Sequence, residues 1–161
     1  MPSTRKVLFV CLGNIVRSPL AEALFRQRVK DRGLDGRYHV DSAGTSSFHI
    51  GQTPDSRMRQ TAAARGLEYT RRARQVLPRD LEEFDLIVAM DNENYDDLCS
   101  LADRAGIDAD IRRMREFDPE SDGVMDVPDP YYGGQAGFEA TFDIVSRSVD
   151  NLLEHLEGET G

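Results

Sequence analysis

Two stretches of the chain are apolar without interruption, Val7-Leu8-Phe9-Val10 and the run from Leu86 to Met90 that follows Asp85. Runs of this length, bounded by charged residues and turns, are the pattern of strands covered on both faces in a parallel sheet. Elsewhere the apolar positions recur at spacings of three and four. Leu20, Ala21, Leu24, Phe25 and Val29 do so behind Pro19, which suits a first helical turn, with Ser18 as the predicted cap and Gly33 as the stop. Phe138, Phe142, Val145, Val149, Leu152, Leu153 and Leu156 make the clearest amphipathic helix, and the Gly- and Glu-rich tail beyond Leu156 is expected to fray. Between these lie a predicted strand from Tyr38 to Ser42, a helix from Asp55 to Arg65 ended by Gly66, a polar helix from about Asn92 to Arg104 before Gly106, and a poorly alternating strand from Ile111 to Phe117. Alternation of strand and helix predicts one doubly wound α/β domain spanning 1–161, with a parallel sheet of about four strands and helices on both faces. Ligands in such sheets bind beyond the carboxyl ends of the strands, where strand order reverses. The segment from Cys11 to Arg17 leaves the carboxyl end of the first strand.

Composition narrows the function classes. A length of 161 residues suits one domain, and 39% hydrophobic with 30% charged residues is the make-up of a soluble globular chain. The net charge of -9 opposes nucleic acid and phospholipid surfaces, so any anionic substrate requires a strong local positive feature. No apolar stretch approaches the roughly 20 residues that cross a bilayer, and the start of the chain reaches a strand too soon for a signal peptide. A cytoplasmic location without membrane insertion is expected. Cys11 and Cys99 lie far apart in sequence, which argues against a structural disulfide. His39, His49 and His155 lack metal-ligand spacing, and no glycine-rich nucleotide loop is present, so neither a metal nor a cofactor is expected.

The segment Cys11-Leu12-Gly13-Asn14-Ile15-Val16-Arg17-Ser18-Pro19 brings a thiol to a strand end and a guanidinium to the start of a helix. A short loop entering a helix can turn its N–H groups toward an anion, helped by the positive end of the helix dipole. Gly13 and Asn14 are residue types that tolerate a left-handed backbone, and Arg17 can grip two oxygens of a tetrahedral oxyanion. The same donors, with Ser18, would favour a thiolate at Cys11. The bland alternative is a buried packing cysteine beside a solvated arginine. Further along, Asp118 to Gly134 shows no periodicity, and Val127-Pro128-Asp129-Pro130-Tyr131-Tyr132 sets one carboxyl between two prolines and beside two aromatics. Read for chemistry, Asp129 is an acid for a leaving oxygen; read for structure, it is a surface residue of a proline turn.

Taken together, these segments resemble the low-molecular-weight protein tyrosine phosphatases over essentially the whole chain. Cys11 to Pro19 matches that family's phosphate-binding signature, and Asp129-Pro130-Tyr131-Tyr132 matches its acid loop. Asp41-Ser42-Ala43-Gly44-Thr45, Pro54-Asp55 and Met90-Asp91 are also similar. The resemblance implies that Cys11 attacks phosphotyrosine, that Arg17 and the N–H groups of Leu12, Gly13, Asn14, Ile15, Val16, Arg17 and Ser18 hold the phosphoryl group, and that Asp129 is acid and then base. It further implies that Asn14 and Ser42 hold the loop in shape and that Phe48, Tyr131 and Tyr132 line a slot for the ring. Tyrosine-phosphorylated proteins, and hence a tyrosine kinase, are the implied partners.

Three rivals share parts of this pattern. A thiol-coupled arsenate reductase needs two further cysteines where only Cys99 exists, a binding module has no need of Asp129, and a cysteine phospho-carrier needs neither Arg17 nor Asp129. Arg71-Arg72-Ala73-Arg74 reads as a solvated face or, functionally, as a rim for acidic residues flanking phosphotyrosine. Many family members carry a second cysteine just before the arginine, where this chain has Val16. Mild peroxide is therefore expected to inactivate the protein at Cys11 without forming an internal disulfide; a Cys11–Cys99 bond in a peptide map of the oxidised protein would contradict this.

Overall fold

The structure, a computed structural model, describes residues 4–160. Four strands, β1 (Arg5–Cys11), β2 (Tyr38–Gly44), β3 (Leu86–Ala89) and β4 (Ile111–Arg113), form a sheet of order β2-β1-β3-β4 in which every neighbouring pair is parallel. Five helices accompany them: α1 (Arg17–Asp31), α2 (Ser56–Ala63), α3 (Pro78–Glu83), α4 (Asn92–Ala105) and α5 (Gln135–Thr160).

The period-two geometry of β1 explains the two layers. Val7, Phe9 and Cys11 enter one core with Leu24 and Phe25 of α1, Met58 of α2 and Val145 and Val149 of α5. Leu8 and Val10 enter the other with Leu81 of α3 and Leu98 and Ala102 of α4. A strand clamped between two helical layers must be apolar at every position, which is what the run at Val7 to Val10 signalled. The chain leaves β1 toward β2 on one side and later returns to β3 on the other. The loop after β1 therefore lies at the reversal of strand order, beyond the carboxyl edge of the sheet.

Several boundaries differ from the sequence expectation for identifiable reasons. Helix α1 starts at Arg17 and no side chain caps it. Ser18, the predicted cap, lies inside the first turn with its hydroxyl 3.0 Å from the Cys11 sulfur. The segment from Ile111 to Phe117 is strand only to Arg113, because the Glu116 carboxylate accepts the Arg113 N–H at 2.7 Å and bends Met114–Phe117 into a 3-10 turn. Helix α3, with Pro78 in its first turn, is too short to show an apolar period and was not foreseen. Helix α5 runs on through the tail expected to fray, since Arg5 donates to the Leu156 carbonyl at 3.1 Å and pairs with Glu159 at 2.8 Å, while Tyr38 and Arg37 engage Glu157. Of the arginines at 71–74, Arg72 is exposed, as a solvated face requires, but Arg71 and Arg74 are half-buried in ion pairs. Arg71 pairs with Glu22 and Asp41, and Arg74 with Asp41 and Asp80, because Glu22 of α1 and Asp80 of α3 would otherwise be buried without counter-charge beside Asp41 of β2.

At the start of the irregular segment, Asp118 is a second such hub. Its side chain is fully buried and accepts from Arg115 at 2.9 Å, Arg147 of α5 at 2.7 Å and the Glu120 N–H at 2.8 Å. Burial alone would raise its pKa, but the bonds from Arg147, Glu120 and Arg115 outweigh burial and hold the carboxyl below its ordinary value of 3.8. A depressed folded-state value means stabilisation that is complete above the unfolded value and lost as pH falls through the folded one. Asp118→Asn should cost about 2 kcal/mol near neutral pH, less than the roughly 3–5 of a fully enclosed pair because Arg147 stays partly in water. Urea unfolding should show the difference shrinking below about pH 3.8; a difference that stays constant there would assign the loss to shape instead.

Candidate active site

A trans peptide turns its carbonyl and the next N–H in opposite directions, so outward carbonyls imply inward donors. In the loop after β1 the Cys11 carbonyl accepts the Thr45 N–H at 2.9 Å, the Leu12 carbonyl accepts the Ser46 N–H at 2.9 Å, and the Ile15 carbonyl accepts the Asp55 N–H at 2.8 Å. The N–H groups of Leu12, Gly13 and Val16 consequently turn toward the concave side, where the Cys11 sulfur lies. No acidic residue stands in the first turn of α1 to neutralise them. The close approach of β2 requires Gly44, since a Cβ there would lie 2.7 Å from the Leu12 carbonyl oxygen. Gly13 serves by its lack of a side chain and not by an unusual φ: a Cβ would meet His49 at 2.8 Å.

Asn14 takes the left-handed conformation, with φ of 58°, and is almost fully buried. Three partners hold it. Its amide donates to the Ser18 hydroxyl at 2.8 Å and to the Ser42 hydroxyl at 3.0 Å, and its carbonyl accepts the Arg74 N–H at 3.0 Å. Its own N–H reaches the Cys11 sulfur at 3.3 Å. Ser42 in turn donates to the buried carboxylate of Glu22 at 2.6 Å, which Arg26 and Arg71 neutralise. Because Ser18 already accepts from Asn14, its proton is free to face the sulfur, at 3.0 Å, in preference to the Ala43 carbonyl at 3.4 Å.

Arg17 is buried and its position is set from outside the loop. One guanidinium nitrogen donates to Asp91 at 2.8 Å and to the Val127 carbonyl at 2.9 Å, and the other lies 3.6 Å from Asp129. Burial works against its charge, but the Cys11 sulfur, the bond to Asp91 and the charge of Asp129 more than offset this, so its pKa lies above the ordinary value. Asp91 also caps α4 by accepting the Asn94 N–H at 2.7 Å. Asp129 is more than a third exposed and accepts the Tyr131 N–H at 3.1 Å.

Cys11, Leu12, Gly13, Ile15, Val16, Arg17, Phe48, Asp129, Tyr131 and Tyr132 all line one cleft of about 340 Å³, which Ser46 and His49 complete. Asn14, Ser18 and Ser42 lie behind it, buried under the loop. The walls are aromatic. Tyr131 stands with its centroid 6.0 Å from His49 and 4.9 Å from Tyr132, and Phe48 meets His49 edge-on at 4.9 Å. Phe48 and Tyr132 are strongly exposed and form the outer rim. A larger cavity of about 480 Å³ lies between α1 and residues 66–71, but the arginines on its wall are already paired with Glu22 and no cysteine lines it. Among the described residues no group of His, Cys, Asp or Glu is arranged to hold a metal ion. Cys99 is unpaired on α4 beside Tyr95.

Sequence reasoning did not find the parts played by Asp91, Glu22, His49 and Arg74. Asp91 carried a usable signal, an acid ending an apolar strand and opening a helix, whereas Glu22 looks like any exposed helical position.

The chain is similar to known proteins over nearly its whole length. The family model described as low molecular weight phosphotyrosine protein phosphatase matches residues 6–160. A low molecular weight protein-tyrosine-phosphatase of Streptomyces coelicolor is 42% identical over 160 residues, covering 96% of this chain and 98% of the relative. A solved protein tyrosine phosphatase from Entamoeba histolytica superposes with a TM-score of 0.89 at 41% identity, covering 98% of this chain and all of the other. A Drosophila arginine phosphatase superposes with a TM-score of 0.88 at 33% identity, covering 94% and 97%. With a match that takes in both the cradle and the acid loop, the chain belongs to the low molecular weight phosphotyrosine protein phosphatase family.

Proposed function

We propose that the protein hydrolyses phosphotyrosine in proteins through a cysteinyl-phosphate intermediate. The observation that carries this reading is that Cys11, Arg17 and Asp129 open onto one aromatic-walled cleft. In the first step the Cys11 thiolate attacks phosphorus in line; the S–P bond forms as the P–O bond to the ring breaks, and Asp129 gives its proton to the departing oxygen. Arg17 and the inward N–H groups hold the three equatorial oxygens, where charge is shared in the transition state. In the second step water attacks the cysteinyl phosphate, Asp129 takes a proton from it, the S–P bond breaks, and phosphate leaves with the thiolate restored.

The walls favour an aryl ester. Phe48, Tyr131 and Tyr132 offer apolar faces along the cleft, and a phosphoserine would leave them unfilled. Among the residues lining the cleft Asp129 is the one carboxylate, and its use as acid leaves none to receive the remaining N–H groups of a phosphorylated guanidine. A tyrosine kinase and tyrosine-phosphorylated proteins are then the partners, and the cytoplasm the fitting location. No helix among the described residues is long and apolar enough to cross a membrane.

Steady-state hydrolysis of aryl phosphates at mildly acidic pH tests the scheme. Cys11→Ser should reduce turnover to background while inorganic phosphate still binds; residual turnover above background would refute the nucleophile. Asp129→Ala should lower kcat/KM by about 10²- to 10⁴-fold for phenyl phosphate and much less for 4-nitrophenyl phosphate, whose phenolate departs without a proton. An equal loss on both esters would remove Asp129 as the acid. Phosphotyrosine peptides should be cleaved in preference to phosphoserine and phosphoarginine peptides, and the opposite order would overturn the substrate assignment.

A further inference from the structure

The cleft has two sides that come from distant parts of the chain, and something must fix their separation. The nucleophile side is the buried loop after β1; the acid side is the exposed segment around Asp129. Arg17 joins them through the Val127 carbonyl at 2.9 Å, and another short piece of chain also contacts both. The Asp55 N–H donates to the Ile15 carbonyl of the phosphate loop at 2.8 Å, so the start of α2 is anchored on the nucleophile side. The Asp55 carboxylate caps α2 and grips the Arg57 side chain with two bonds, 3.2 Å from Nε to Oδ1 and 2.9 Å from Nη2 to Oδ2. The guanidinium so aimed lies over two rings, with its central carbon 5.3 Å from the Tyr131 centroid and 4.8 Å from that of Phe138 in α5. A planar cation held in this way is a rigid spacer, because the fork fixes its plane and the ring faces attract it.

Tyr131 is the residue through which this contact reaches the acid. Its N–H donates to Asp129 Oδ1 at 3.1 Å, two residues back along the same turn, which Gly133 closes by donating to the Pro130 carbonyl at 2.8 Å. A shift of the Tyr131 ring therefore turns the carboxyl that faces the cleft. Burial disfavours charge on Asp55, yet the bonds from the Arg57 side chain and N–H and the Met58 N–H outweigh it and hold the carboxyl below its ordinary range.

We infer that Arg57 is a positioning residue for proton transfer: locked to Asp55 and seated on Tyr131, it sets the aim of Asp129 over the phosphate loop. Arg57 does not line the cleft, so it acts through Tyr131 and touches no substrate. The inference rests on the assignment of Asp129 as general acid, and the experiment separates the two.

The test measures kcat/KM on a series of aryl phosphates whose phenols differ in acidity, together with competitive inhibition by inorganic phosphate, for wild type, Asp129→Ala, Arg57→Gln and Arg57→Lys. For Arg57→Gln the expected loss is about tenfold on phenyl phosphate and under about twofold on 4-nitrophenyl phosphate, with inhibition by phosphate unchanged within about twofold. Arg57→Lys keeps a cation without the planar fork and should fall between wild type and Arg57→Gln. A purely structural role would lower activity on all esters alike and weaken phosphate binding, and that result would overturn the proposal. So would a wild-type dependence on the leaving group in Arg57→Gln, or in Arg57→Lys if the glutamine variant does not fold. If Asp129→Ala itself shows no such dependence, the acid assignment fails and this inference with it. If Asp129→Ala is strongly dependent and the Arg57 variants are not, only the role of Arg57 is refuted.

Discussion

The orientation of three peptide planes carries the site. Because the carbonyls of Cys11, Leu12 and Ile15 accept N–H groups of neighbouring segments, the donors that follow them turn to the concave side of the loop, where the Asn14 N–H reaches the Cys11 sulfur at 3.3 Å. Converging donors of this kind are costly to bury empty and favourable around an anion, which is the physical basis of the proposed binding. Each of those outward bonds ends on a different segment: Thr45 and Ser46 follow β2, and Asp55 opens α2. The curl is thus held by the packing of β2 and α2 against the end of β1. It is not a property of the loop sequence alone.

That division explains what could be read from the residues. The two strands clamped between helical layers announced themselves as unbroken apolar runs, and α5 as a long three-four repeat, because burial on two faces or on one leaves a periodic trace. Cys11, Arg17 and Asp129, which share one cleft, could be singled out because each sits at a fixed offset from a local signal, a strand end, a helix start or a proline pair. The loop's support was not legible. Glu22, Asp41, Arg71, Arg74 and Asp80 each look like ordinary surface charges, and only the approach of four separate segments makes them one half-buried ion-pair network. Ser18 shows the same limit in small: its type and place fitted a cap, yet the hydroxyl is used on the sulfur and on Asn14.

The net charge of -9 does not conflict with capture of a phosphate ester. Much of the acidic surplus is spread over exposed helices, screened within about 8 Å at physiological salt, whereas the donors around Cys11 are local and buried. Nor is the capture a matter of surplus positive charge. Arg17 is already matched by Asp91, so what the cleft offers an anion is directed hydrogen bonding from peptides and from the remaining guanidinium N–H groups. The bond to Asp91 keeps that fork aimed, since a buried arginine without a partner would seek another acceptor.

The two halves of the cleft are unequally constrained, and the difference follows from their chemistry. The loop after β1 is over-determined: Asn14 alone is held by Ser18, Ser42 and Arg74, which fix a left-handed backbone that asparagine tolerates. On the proposed reading the acid has a looser duty, to meet a leaving oxygen and afterwards a water on the same side, and its segment is correspondingly exposed, with Tyr132 almost wholly in solvent. Two prolines limit its backbone, the Val127 N–H ties its start to the Met90 carbonyl at 2.8 Å, and Thr141 reaches the Pro128 carbonyl from α5 at 3.2 Å. Those ties fix the segment to the sheet and to α5, and toward the opposite wall Arg17 reaches the Val127 carbonyl at 2.9 Å while the Tyr131 ring stands 6.0 Å from that of His49. The ion pair of Asp55 and Arg57 adds a further span at Tyr131, so on the proposed reading the aim of the acid rests in part on a contact that belongs to neither loop.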